Sequence, residues 1–181
     1  MIRIVTLGPF EEADIAVLSR TLYQAFGLGT EHAGQRSLPP EAEKDDGRYD
    51  AEKLIAKVEP IKTFADDKVL YLTSATLALR EGPLGEPPSW SFAEYGSEKA
   101  IVSTARFPAR GSSETAIEAW RKRLARESIH AIGHLWDLHH CYDARCAMHP
   151  PWSPSLPANP EADLCAFDRE KSERRIRLAK T

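Results

Sequence analysis

The stretch His130-Ala131-Ile132-Gly133-His134-Leu135-Trp136-Asp137-Leu138-His139-His140-Cys141 holds four of the six histidines of a 181-residue chain, with Cys146 and Met148 close behind it. On a helix, His130 and His134 stand four residues apart and share one face, and His140 can close the set once the chain turns back. This spacing predicts a three-histidine cage for a divalent cation, of the kind that leaves a fourth position open on zinc. Such helical sites carry a glutamate base directly after the first histidine. Here that position is Ala131. Helix geometry alone permits a second donor set: if the helix runs on through Asp137, then His130, His134 and Asp137 lie at i, i+4 and i+7, and Asp137 replaces His140. The bland alternative, histidines that merely fill a helix end, requires spacing, clustering and neighbouring cysteines to coincide.

The clustering itself is informative. Five histidines, His130, His134, His139, His140 and His149, fall within twenty residues, which scattered core histidines would not do. The three cysteines, Cys141, Cys146 and Cys165, all follow residue 140. An odd number cannot close a disulfide framework, and a reducing compartment favours thiolate–metal bonds over bridges. The start, Met1 to Leu7, has too short an apolar core for a secretory signal, so a cytoplasmic location is expected. A net charge of -3 gives no electrostatic footprint for nucleic acid, and no apolar run approaches the ~20 residues that span a bilayer. At this length one domain that buries roughly 70% of its unfolded surface is expected.

Upstream of the histidines the pattern alternates between strand and helix. Ile2 to Leu7 reads as a first strand, and Ile15, Leu18, Leu22 and Phe26 recur at helical spacing before Gly27. Residues 30 to 48 lack periodicity, contain Pro39-Pro40 and a charged run, and are expected to form a surface excursion. Asp50 is placed to cap a helix carrying Leu54, Ile55 and Val58, and Val69 to Thr73 has the composition of a buried strand. Gly82, Pro83, Gly85, Pro87 and Pro88 predict an exposed loop. Trp90 to Gly96 alternates large and small side chains, as an edge strand does, and Ala100 to Ala105 is a further strand. Ser112 or Ser113 opens a long helix with Ile117, Trp120 and Leu124 on its buried stripe, and this helix delivers His130 and His134. Five prolines mark residues 150 to 164, and a charged helix follows from Arg169.

From here the chain resembles the archaemetzincins, zinc metallopeptidases of the metzincin group. Their pattern is His-Glu-x-x-His-x-x-Gly-x-x-His-Cys, four residues, Cys, one residue and Met, with a later Cys-x-x-Cys. His130, His134, His140, Cys141, Cys146 and Met148 fall on that pattern, and Cys165 falls on the first of the later cysteines. The resemblance extends, less distinctively, back to about residue 48. It implies an α/β metzincin-like domain spanning 1–181, with an N-terminal subdomain over 1–136 and a small zinc-stapled C-terminal subdomain over 137–181. A mixed twisted sheet, an edge strand over the cleft and a long active-site helix complete the expected architecture. It further implies a catalytic-type zinc on His130, His134 and His140, Met148 as the floor of that site, and peptide-bond hydrolysis by a monomer. The edge strand carrying Trp90, Phe92 and Ala93 would take the peptide or protein substrate through its backbone.

Three departures qualify these expectations. Ala131 stands where the family has its general base, so activity is expected to be strongly reduced or absent; a non-catalytic, zinc-dependent peptide-binding or regulatory module is the alternative. Asp137 stands where the family has a glycine at the turn, and aspartate is among the few residues that tolerate positive φ. Asp168 stands where a fourth cysteine is expected, so Cys141, Cys146, Cys165 and Asp168 would hold a second, structural zinc, with His149 a competing fourth ligand and three free thiols the plain alternative. Glu127, one turn before His130, is the nearest substitute base; it would point away from the metal-bound water and is expected to be solvated or to hydrogen-bond behind the site. His139 and His149 are remoter candidates for the same role.

Overall fold

The computed structural model describes residues 1–78, 90–150 and 161–179. In chain order the elements are β1 (Ile2–Leu7), α1 (Glu12–Phe26), β2 (Thr30–Arg36), β3 (Tyr49–Asp50), α2 (Ala51–Lys57), β4 (Lys68–Thr73), β5 (Leu77–Ala78), β6 (Ser91–Ala93), β7 (Lys99–Ser103), α3 (Glu114–Leu135) and α4 (Ala166–Ala179). Five strands form one sheet in the order β2-β1-β4-β7-β6, and β3 pairs with β5 separately. Four of the five run parallel; β6 is antiparallel to β7 and lies at the sheet's edge.

Both faces of the sheet are covered, which explains why its central strands read as unbroken apolar runs. Side chains alternate with period two. Ile2, Ile4, Leu70, Leu72, Ala100 and Val102 point to the side of α1 and α3. Val5, Leu7, Val69, Tyr71 and Ile101 point to the side of α2. Asp50 caps α2 as expected, its Oδ1 accepting from the Lys53 N–H at 3.0 Å. Gly27, at φ 63°, stops α1 by donating to the Tyr23 carbonyl. A buried carboxylate, Asp14, ties α1 to α3 by accepting from Arg110 Nε at 2.8 Å and Arg121 Nε at 2.6 Å. Burial alone would raise its pKa, but the two guanidinium groups hold it below the usual carboxylate range.

One expectation is corrected. Residues 30 to 36 are not a surface excursion but β2, which pairs in parallel with β1 at the far edge. Thr-Glu-His-Ala-Gly-Gln-Arg carries no apolar alternation, because an edge strand with solvent beside it need bury little. The register slips between Ile4 and Thr6, and Gly34 there adopts φ 94°, a geometry glycine takes without strain. Pro40–Ala42 forms only a short 3-10 turn. The proline-rich loop expected at 80–89 and most of the proline-rich tail lie outside the described residues. Helix α4 begins at Ala166, slightly before the charged run that announced it. Among the described residues no helix is long and apolar enough to cross a membrane.

Helix α3 carries the first two histidines, and its two halves differ. Ser113 caps it, accepting from the Ala116 N–H at 3.2 Å. Its first half is amphipathic, with Ile117 and Trp120 half-buried. From Leu124 to Leu135 every residue is buried, so the second half runs through the interior.

Candidate metal centre

Helix α3 ends in a Schellman turn. The Leu138 N–H donates to the Gly133 carbonyl at 2.9 Å and the Asp137 N–H to that of His134 at 2.9 Å. Asp137 occupies the left-handed position at φ 58°, the place for which glycine is usually required. Because the helix stops at Leu135, Asp137 does not share a face with the two histidines. Its carboxylate instead accepts from Arg175 Nη2 of α4 at 2.5 Å. The alternative donor set of His130, His134 and Asp137 is therefore not what the fold assembles.

His130, His134 and His140 each offer a ring nitrogen, and these nitrogens lie within 4.8 Å of one another. His130 Nδ1 donates to the Ala147 carbonyl at 2.9 Å and His134 Nδ1 to the Leu138 carbonyl at 2.8 Å. A carbonyl only accepts, so each Nδ1 carries the proton and each Nε2 is a bare lone pair. The two Nε2 atoms face each other at 2.9 Å. Extra protons are not available to separate them. Burial, and then the neighbouring His134, holds His130 well below its ordinary pKa, and burial pulls His134 down to about 4. Two lone pairs at that distance repel unless a cation lies between them. Nitrogens bound tetrahedrally to zinc at ~2.05 Å sit roughly 3.3 Å apart, a small adjustment away. The donor chemistry fits a zinc ion.

Met148 is fully buried and packs against α3 at Gly133, next to His134. A Cβ built on Gly133 would stand 2.3 Å from the Met148 Sδ, so the absence of a side chain at Gly133 is what admits the methionine. Sequence reasoning assigned Gly133 no role, although glycine inside a helix costs about 1 kcal/mol relative to alanine and so marks a close approach. Gly133→Ala is expected to displace Met148 and destabilise the domain by about 1–3 kcal/mol, the usual effect of overpacking, read as a lower midpoint of urea unfolding.

Ala131 is fully buried in the α1–α3 core. Glu127 is not solvated: it is only 1% exposed, and its Oε2 has no hydrogen-bond partner among the described residues. Burial raises its pKa to about 7, opposed by Arg123 and Arg126. His139 is exposed, stacks on Tyr95 with ring centroids 4.7 Å apart, and stands outside the donor set. Tyr95 also meets the His134 ring edge-on at 4.7 Å. The Gly96 N–H donates to the His134 carbonyl at 2.9 Å, which docks the turn after β6 against the histidine helix. On β6, Phe92 packs toward α2, while Ala93 and the preceding Trp90 pack toward α3. Trp90 lies beneath the Arg123 guanidinium at 4.3 Å, so its ring serves packing.

Behind the histidines Cys141, Cys146, Cys165 and Asp168 bring their donor atoms within 4.8 Å of one another. Cys141 and Cys165 sulfurs are 3.9 Å apart, and Asp168 Oδ2 lies 3.2 Å from Cys146 Sγ and 3.5 Å from Cys165 Sγ. Thiolates bound tetrahedrally to zinc at ~2.3 Å are about 3.8 Å apart, so this set also fits. Backbone N–H groups of Met148 and Cys165 point at Cys146 Sγ at 3.4 and 3.3 Å. Burial pushes the Cys141 thiol up to about 11 and raises that of Cys146, so a cation is needed before these sulfurs ionise at neutral pH. His149 is not in this set; its Nδ1 donates to the Cys141 carbonyl at 2.9 Å. Sequence reasoning also overlooked Arg126, fully buried, which donates from Nη1 to the Glu161 carbonyl at 2.6 Å and from Nη2 to that of Cys146 at 2.7 Å.

Solved structures share this geometry's framework. An archaemetzincin from Methanopyrus kandleri superposes with a TM-score of 0.73 over 97% of this chain and 94% of that one, at 23% identity. An archaemetzincin from Archaeoglobus fulgidus, solved with malonate, does so at 0.73 over 94% and 99%, at 20% identity. The chain has the archaemetzincin fold. A zinc-dependent peptidase from Methanocorpusculum labreanum matches equally, at 0.73 over 95% and 100%, with 20% identity. No protein-family model and no curated protein matches the sequence. The archaemetzincin architecture thus accounts for the parallel-rich sheet, the antiparallel edge strand, the long histidine helix and the cysteine cluster near the C-terminus.

Proposed function

We infer that the chain is a zinc metallopeptidase scaffold for peptide-bond hydrolysis whose activity is strongly reduced or absent as the sequence stands. The observation that carries this reading is the pair of bare Nε2 atoms of His130 and His134, each fixed by an Nδ1–H bond to a carbonyl and joined by His140. These three residues would hold the zinc; Cys141, Cys146, Cys165 and Asp168 would hold a second, structural ion. When bound, zinc in a three-histidine site polarises a carbonyl and lowers the pKa of water to roughly 7.

The rest falls to the chain itself. The carbonyls of Ala147 and Leu138 orient the two buried rings and make them better donors. The outer backbone of β6 would align an extended peptide beside them, as edge strands do. Ala131 offers no oxygen, so no group next to His130 takes the proton from an attacking water or passes it to the leaving amine. A second reading follows from the lack of a carboxylate at that position: a zinc-dependent peptide-binding module that has kept the groove and lost the turnover. Three cysteines outside any disulfide suit a reducing, cytoplasmic setting.

Zinc content tests the common ground of both readings. The purified full chain is expected to hold two zinc ions, and His140→Ala, at an exposed position, to lose one of them while keeping its circular dichroism spectrum. A His140→Ala chain that still holds both ions would remove the three-histidine site from consideration.

A further inference from the structure

We propose that metal at the Cys141, Cys146, Cys165 and Asp168 cluster sets the affinity of the histidine site, so that the two centres fill cooperatively. This rests on reading the three histidines as a zinc site. Helix α3 fixes the backbone of the first two, and both rings are buried. His140 differs: it is exposed and lies on the irregular segment beyond the helix. Its place depends on the residues after it. Cys141, its immediate neighbour, is a cluster donor, and the Cys141 backbone is pinned by bonds from its own N–H to the Met148 carbonyl at 3.0 Å and from His149 Nδ1 to its carbonyl.

Two further ties run the same way. Ala147, whose carbonyl orients His130, directly follows Cys146, and its N–H donates to the Asp163 carbonyl at 2.7 Å, two residues before Cys165. On α4, Asp168 lies in the first turn, and Arg175, two turns later, bonds Asp137 at the positive-φ position from which the chain swings toward His140. His140 and two of the cluster donors, Cys141 and Cys146, therefore share one short backbone segment within residues 137–149. A bound cation draws three sulfurs and a carboxylate together and fixes that backbone. Without it, nothing draws those donors together, and His140 loses the sub-ångström placement that a metal site needs.

Cobalt(II) serves as the probe. In the full chain, Cys165→Ala combined with Asp168→Ala removes two cluster donors without touching residues 137–149. Its histidine-site Kd for cobalt is expected to rise at least about 10-fold, within the 5- to 150-fold range usual for coupled sites. A change below twofold overturns the coupling and leaves the histidine site standing. Absence of cobalt from the histidines of the wild-type chain defeats both readings together. Should the double variant fail to fold, reciprocity supplies a second measurement: His140→Ala must weaken cobalt at the cluster, followed by thiolate-to-cobalt absorbance, by the same factor. Unchanged cluster affinity in that folded variant also overturns the proposal.

Discussion

Glutamate at position 131 is expected to raise peptide-bond hydrolysis about 10²- to 10⁴-fold above the wild-type chain, the usual worth of a positioned general acid–base. The residue follows His130 directly and is fully buried, so the new carboxylate would enter a space that now holds a methyl group. Low polarity is useful to a base, since desolvation moves a carboxyl toward neutrality; Glu127, one turn earlier, already sits at about 7 for that reason. The same burial carries a cost of about 1–3 kcal/mol in stability. Activity should therefore appear together with a lower Tm. Ala131→Gln, equally bulky but unable to take a proton, should show the lower Tm without the gain. If Ala131→Glu binds zinc and remains inert on a broad peptide library, the binding-module reading prevails over the peptidase scaffold.

Removing the buried guanidinium should be the most damaging single change to stability. Arg126→Ala is expected to cost about 3–5 kcal/mol, as other broken buried charge networks do, against a total stability of about 5–15 kcal/mol. The side chain satisfies the Glu161 and Cys146 carbonyls at once and, with Arg123, supplies positive charge that opposes the upward shift of Glu127. Burial works against its own ionisation, and Glu127 opposes that effect. Truncation would leave two buried acceptors unmet and a void between α3 and the cysteine segment. Arg126→Met refills the space without donors and should recover only a minor fraction of the loss in urea unfolding. A loss below about 1 kcal/mol for Arg126→Ala would mean that water replaces the guanidinium at both carbonyls.

Much of this fold could be read from residue order because its central strands are buried on both faces and its helices carry clear caps at Asp50, Ser113 and Gly27. β2 escaped because its partner supplies the hydrogen bonds and little apolar area is needed there. The convergence of His130, His134 and His140 was legible for a different reason: imidazoles four apart on a helix share a face, and a third can join them once the chain turns back. Arg126 and Glu127 were not. Charged residues next to one another on a helix read as a solvated face, and only the tertiary structure reveals carbonyls from residues 146 and 161 waiting opposite them. Gly133 hid in plain view, since the sulfur that excludes a side chain there comes from fifteen residues downstream.

The enclosure of α3 from Leu124 to Leu135 restricts what evolution or a designer can vary. Most helices offer an outer flank on which substitutions drift almost freely, but this half of α3 has none, and its neighbours constrain even the small residues. Variation beside the three histidines would have to come through the turns that follow β6 and the helix itself, leaving the histidine-bearing rod as inherited.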